Sequence, residues 1–205
     1  MKKWWCLVWL CSVALCLTGC QGTKGRARQL RNVEERDYVT VLWMMPSEGE
    51  QYSYVLAIAK AKQVGEKSEA EEISEWEATD LEALEKQYRE EKGKELSLAH
   101  LKAVLFSAED SSLKNLQTRK MFMQLDEDLD VAKTLPVLWI TQRDKFRQFL
   151  MQGEEPVGTY LEKLAKVRKE EKEVSWLKDY LLAIREETEA ERDYLVPTAK
   201  NWKVQ

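Results

Sequence analysis

Apolar residues fall in two rhythms along this chain, and each predicts a different kind of element. Residues 37–45, DYVTVLWMM, are rich in β-branched and aromatic side chains, as strands are. Pro46-Ser47-Glu48-Gly49 has turn chemistry. Residues 52–62 alternate again, with Tyr52, Tyr54, Leu56 and Ile58 on one side. The spacing predicts an antiparallel hairpin of these two strands, then a loop over 64–72 and a third strand over 72–78.

The second rhythm begins at Thr79. Leu81, Leu84 and Tyr88 share one face of a helix over 79–94. Thr79 and Glu82 read as its capping box and Gly93 as its left-handed stop. Residues 96–107, LSLAHLKAVLFS, read as one buried central strand, which would make His100 a packed, hydrogen-bonded core residue. A helix over 111–125 is expected to open at Ser111. A strand over 134–141 follows, with Pro136 at its start. Thr141, with Asp144 as the reciprocal acid, is expected to cap a helix that buries Phe146, Phe149 and Leu150 and ends at Gly153. Helices over 157–171 and 174–192 complete the series, the second with Leu177, Leu181 and Ile184 on one stripe and Pro197 beyond it. The segment NWKVQ is a candidate last strand. Strands that alternate with helices in the middle of the chain predict an α+β fold, a mixed or largely antiparallel sheet with helices packed on it, in a single domain.

The first twenty residues follow neither rhythm. Lys2 and Lys3 precede a run of about a dozen apolar residues from Cys6 to Leu17, too short for a membrane span of ~20 residues. Small residues and Cys20 end it. That is the layout of a secretory signal peptide. Leu17-Thr18-Gly19-Cys20 resembles a bacterial lipobox, in which the cysteine thiol receives diacylglycerol and becomes the first residue of the mature chain. All four cysteines of the 205-residue chain lie at or before position 20, so no later thiol is available for a disulfide. The predicted organisation is a signal over 1–19, a lipidated Cys20 with a polar tether to residue 36, and one domain over 37–205. Two acyl chains give stable anchoring, at ~0.8 kcal/mol per buried CH₂. The body would then sit on the extracytoplasmic side of the cell membrane or spore inner membrane.

Charge and motifs exclude more than they assign. Losing Lys2 and Lys3 with the signal takes the formal charge from −4 to −6, with both signs interspersed. No basic face suggests nucleic acid. His100 is the single histidine, so no His/Cys zinc site can be built. Asp126, Asp128 and Asp130 begin an EF-hand spacing, but Val131 and Val137 stand where Gly and Glu belong, which leaves a solvated acidic turn. Phosphate-loop glycine patterns and a G-x-S-x-G elbow are missing. Abundant Asp and Glu single out no catalytic pair. Catalytic residues, cofactors and metals are therefore all assigned as none, and no enzyme activity is expected. Trp43, Tyr52, Tyr54, Trp76 and Trp139 lie on predicted strands, where they form either a ligand-binding face or, the favoured reading, core filling.

One stretch resembles a known family. Residues 79–109, TDLEALEKQYREEKGKELSLAHLKAVLFSAE, look like the helix-then-strand segment of the Ger(x)C family, the lipoprotein C subunits of spore germinant receptors. Leu96, His100, Leu101, Lys102, Ser107 and Glu109 carry the match, and the order of later elements fits the family's N-terminal domain. The segments QGTKG after Cys20 and Trp43-Met44-Met45-Pro46 depart from its pattern. The resemblance implies a non-catalytic, membrane-tethered protein that works beside polytopic receptor subunits in nutrient-triggered germination, with His100 and Lys102 structural. Two other readings make different demands. A lipid-anchored ligand-binding or accessory protein, for instance of a transporter, requires a concave pocket lined by the strand aromatics. A carboxylate hydrolase requires a buried acid pair.

Overall fold

The computed structural model describes residues 35–47, 51–60, 71–108, 113–152, 155–170, 175–198 and 202–204. They form an α+β fold around one mixed sheet of eight strands. The strands are β1 (Arg36–Pro46), β2 (Tyr52–Ala59), β3 (Glu71–Ala78), β4 (Glu95–Ser97), β5 (Ala103–Ser107), β6 (Val137–Ile140), β7 (Asp193–Pro197) and β8 (Trp202–Val204). Five helices accompany them: α1 (Leu81–Lys92), α2 (Leu116–Glu127), α3 (Arg143–Gln152), α4 (Val157–Glu170) and α5 (Leu177–Arg185).

The sheet order is β3-β2-β1-β5-β6-β7-β8, with β4 also beside β1. β1, β5, β6 and β7 run parallel in the centre, whereas β2, β3 and β8 add antiparallel pairs at the two sides. The central strands are covered on both faces, and so they read as continuous apolar runs. On one face α1, α2 and α5 bury Leu84, Tyr88, Phe122, Leu125 and Tyr180 against Leu42, Phe106 and Trp139. On the other, α3 and α4 bury Phe146, Val157 and Leu161 against Trp43, Leu105 and Ile140, with Trp202 of β8 closing that side.

Several boundaries differ from the sequence reading, each for a local reason. Asp80, not Thr79, caps α1, because its carboxylate accepts the Ala83 amide at 2.8 Å. Gly93 does supply the left-handed stop, at φ 69°. Asn115, not Ser111, caps α2, accepting from Gln117 N at 2.8 Å; Ser111 lies outside the described residues. Thr141 does not cap α3, since its hydroxyl is spent on the Leu195 carbonyl of β7 at 3.0 Å. The last helix stops at Arg185 rather than 192. There the Thr188 amide reaches back to the Ala183 carbonyl (2.9 Å) and the chain turns through Glu187 at φ 55°. That closure is of the Schellman type, which a glycine usually completes. Pro197 belongs to β7 instead of marking a helix end.

The expected strand over 96–107 is two strands. β4 pairs with Arg36–Tyr38, and β5 starts opposite Val41. Five residues, Leu98–Lys102, therefore face only Val39 and Thr40. The excess loops out as a turn, closed by Leu101 N to Leu98 O (3.1 Å), and rejoins the sheet through Lys102 N to Thr40 O (2.7 Å). β1 is irregular at the same place, with a register shift against β2 between Val39 and Val41. The shift moves Val41 and Trp43 to the face opposite Val39.

Candidate functional site

The His-Leu-Lys segment sits on that outward turn. His100 is exposed, not packed in the core, because the turn lifts it out of the sheet. Its ring lies against Tyr38, centroids 4.5 Å apart. Lys102 points the other way, toward the start of α4, where it reaches Thr159 Oγ1 (3.4 Å) and the Glu162 carboxylate (3.6 Å). Lys166 bonds the same carboxylate at 2.7 Å, and the two ammonium groups, Lys166 first, hold Glu162 below the usual carboxylate range. Lys102 thus ties the turn to the helix layer, while His100 and Tyr38 present a small aromatic surface.

The strand aromatics are core, not a ligand-binding face. Trp43, Tyr54 and Trp139 are at most 1 % exposed and Tyr52 is 6 % exposed. Trp76 is partly buried against the same core and packs on Tyr88 at 5.1 Å. Trp139 donates to Tyr180 Oη at 2.8 Å, and Tyr180 in turn donates to the Glu191 carbonyl at 2.8 Å. Burial pushes the Tyr180 and Tyr54 hydroxyls well above the ordinary tyrosine pKa and Tyr52 up to about 12.

The acidic run that ends α2 and follows it is braced by ion pairs and a turn. Asp126 pairs with Lys133 (2.9 Å) and Arg185 (3.1 Å), and the Lys133 bond is the main reason its carboxyl titrates low. Asp128 accepts the Asp130 amide at 2.8 Å. Among the described residues no three His, Cys, Asp or Glu side chains converge as metal ligands.

A concave region that the sequence did not signal lies between the start of α2 and the chain that links α5 to β7. This cleft of about 690 Å³ is lined by Leu113, Arg119, Ile184, Glu187, Arg192 and Tyr194, among others. Arg119 donates to the Ile184 carbonyl at 3.3 Å, and the Arg192 guanidinium lies 4.6 Å from the centre of the Trp139 ring. Lys114 pairs with Glu189 at its edge (3.0 Å). Arg119 and Arg192 are 73 positions apart in sequence, and neither sits in a spacing that points to the other; only the packing of α2 against α5 brings them to one cleft.

Cys20, Leu17, Thr18 and Gly19 lie outside the described residues. Among the described residues no helix is long and apolar enough to cross a membrane. No protein-family model, curated protein or solved structure matches this chain.

Proposed function

We propose that this chain is a membrane-anchored lipoprotein resembling a spore germinant receptor C subunit. Its body acts without catalysis, through contacts with polytopic membrane subunits. Diacylglycerol on Cys20 would hold it at the outer face of the cell membrane or spore inner membrane, with Leu17, Thr18 and Gly19 as the lipobox. The observation that carries the reading is the coincidence in one chain of that lipobox with the segment 79–109. In that segment α1, capped by Gly93, leads into β4 with Leu96, the outward turn with His100, Leu101 and Lys102, and β5 with Ser107 at its end. The burial of Trp43, Tyr54 and Trp139 adds support, since a binding face built from strand aromatics would need them accessible.

The test is a pull-down. The chain, tagged at its C-terminus, is expressed in a sporulating host and recovered from mildly solubilised membranes. Co-purification of polytopic receptor subunits, absent from a Cys20→Ala control, is the expected result. Recovery of transporter subunits, or of nothing above the control, would overturn the reading and leave only the sequence resemblance over 79–109. A second reading, an envelope protein that binds a small ligand, is favoured by the Arg119–Arg192 cleft.

A further inference from the structure

We propose that the cleft between α2 and the α5–β7 connection binds a small monocarboxylate, its carboxylate held by Arg119 and Arg192 and its apolar body laid on Leu113 and Ile184. The inference concerns a ligand, not a protein partner, and stands whether or not the receptor reading does.

Three observations lead to it. The cleft, about 690 Å³, is the size of a small-molecule site. Its two arginines are half-buried, and among the described residues neither makes an ion pair with a carboxylate. Arg119 spends one N–H on a carbonyl and Arg192 rests on the Trp139 ring, so both are held in place with donors to spare. A planar guanidinium has five donors in a fixed fork that suits a carboxylate. Both are also prepositioned, which lowers the ordering cost of binding.

The acids of the cleft narrow the ligand further. Glu189 is neutralised by Lys114, but Glu187 and Glu191 remain as exposed charges. With Lys114 paired to Glu189, the charges of Arg119 and Arg192 are balanced by those of Glu187 and Glu191, so the cleft has no excess positive charge to draw in a polyanion, while the arginine forks still offer donors to a single carboxylate. Glu187 also occupies the left-handed position of the α5 cap, where glycine has no steric cost. A carboxylate kept at a position that favours glycine breaks a local rule, and such breaks concentrate at binding sites.

The test uses the full-length chain in detergent and isothermal titration with 4-methylpentanoate, its uncharged analogue 4-methylpentanamide, and citrate as a polyanion. Saturable binding of 4-methylpentanoate, with the amide and citrate at least tenfold weaker, is expected. Arg192→Lys and Arg119→Lys, which keep the charge and lose the fork, should each weaken binding about tenfold while the thermal unfolding midpoint stays near that of the parent. Glu187→Gly should bring citrate to within a few-fold of 4-methylpentanoate. An absence of saturable binding by the parent chain overturns the proposal. So do equal affinities for acid and amide, or arginine variants that bind as the parent does.

Discussion

The carboxylate of Glu71, at the start of edge strand β3, accepts the backbone N–H of Gly158 in the first turn of α4, at 3.2 Å. Thr40 completes the junction. Its hydroxyl lies 2.7 Å from Glu71 Oε1, with the Ala57 carbonyl 3.1 Å away. An edge strand, the β1 irregularity and the positive end of a helix thus meet at one acid. Gly158 has no left-handed φ; it is there for space, because an added Cβ would come within 2.9 Å of Thr40 Cβ and 2.8 Å of Glu71 Oε1.

Gly158→Ala should therefore destabilise the fold by ~1–3 kcal/mol, as overpacking does in a tight contact. Glu71→Gln should cost less, since the amide oxygen still accepts one bond while the interaction with the helix dipole is lost. Urea midpoints at neutral pH check both. A Gly158→Ala chain as stable as the parent would show that α4 can move away from β1 without loss.

The α1 cap separates two neighbouring residues. Asp80→Ala should cost ~1 kcal/mol, within the range for a lost N-cap. Thr79→Ala should cost a few tenths, because the Thr79 hydroxyl bonds only Asp80 itself, at 3.2 Å, and not a helix amide. Comparing the two urea midpoints decides which residue caps. Equal losses would return the role to a shared capping box.

Tyr52, Tyr54, Tyr88 and Tyr180 share one pH signature. In each the folded pKa is raised above the unfolded value, mainly by burial. The folded state then holds the protons more tightly, so this contribution is intact below about pH 10 and declines as pH rises through the folded values. Unfolding free energy should be flat on this account up to pH ~10 and fall steeply above it. Urea titrations from pH 8 to 12, with tyrosinate absorbance followed in parallel, measure the slope. Tyr180→Phe should reduce the slope and, at neutral pH, cost ~1–3 kcal/mol, because Trp139 Nε1–H loses its acceptor in a buried site.

Lipidation makes a separate prediction. Labelled fatty acid should enter the wild-type chain and not Cys20→Ser, and the variant should move from the membrane fraction to the soluble one. Persistence of Cys20→Ser at the membrane would mean that the apolar run from Cys6 to Leu17 holds the chain without acylation.

Much of this architecture was legible in the order of residues. β1, β2 and α1 were readable because each carries its own period and its own stop, such as the alternation of Tyr52 to Ile58 and the glycine at 93. The break in 96–107 was not readable. Its residues are apolar enough for a strand, and only the length of β1 beside them forces Leu98–Lys102 outward. The caps failed for a related reason. Thr79 and Asp80 both have capping side chains, and the geometry of the turn chooses between them.

By itself, the sequence determined the two periodicities and the α+β class, because these depend on side-chain type and spacing along one stretch of chain. Tertiary packing decided the rest. It buried the strand aromatics, turned His100 to solvent, joined Glu71 to Gly158 and brought Arg119 and Arg192 to one cleft. Each of these outcomes needs residues far apart in the chain to share volume or hydrogen bonds, and no local pattern encodes such a meeting.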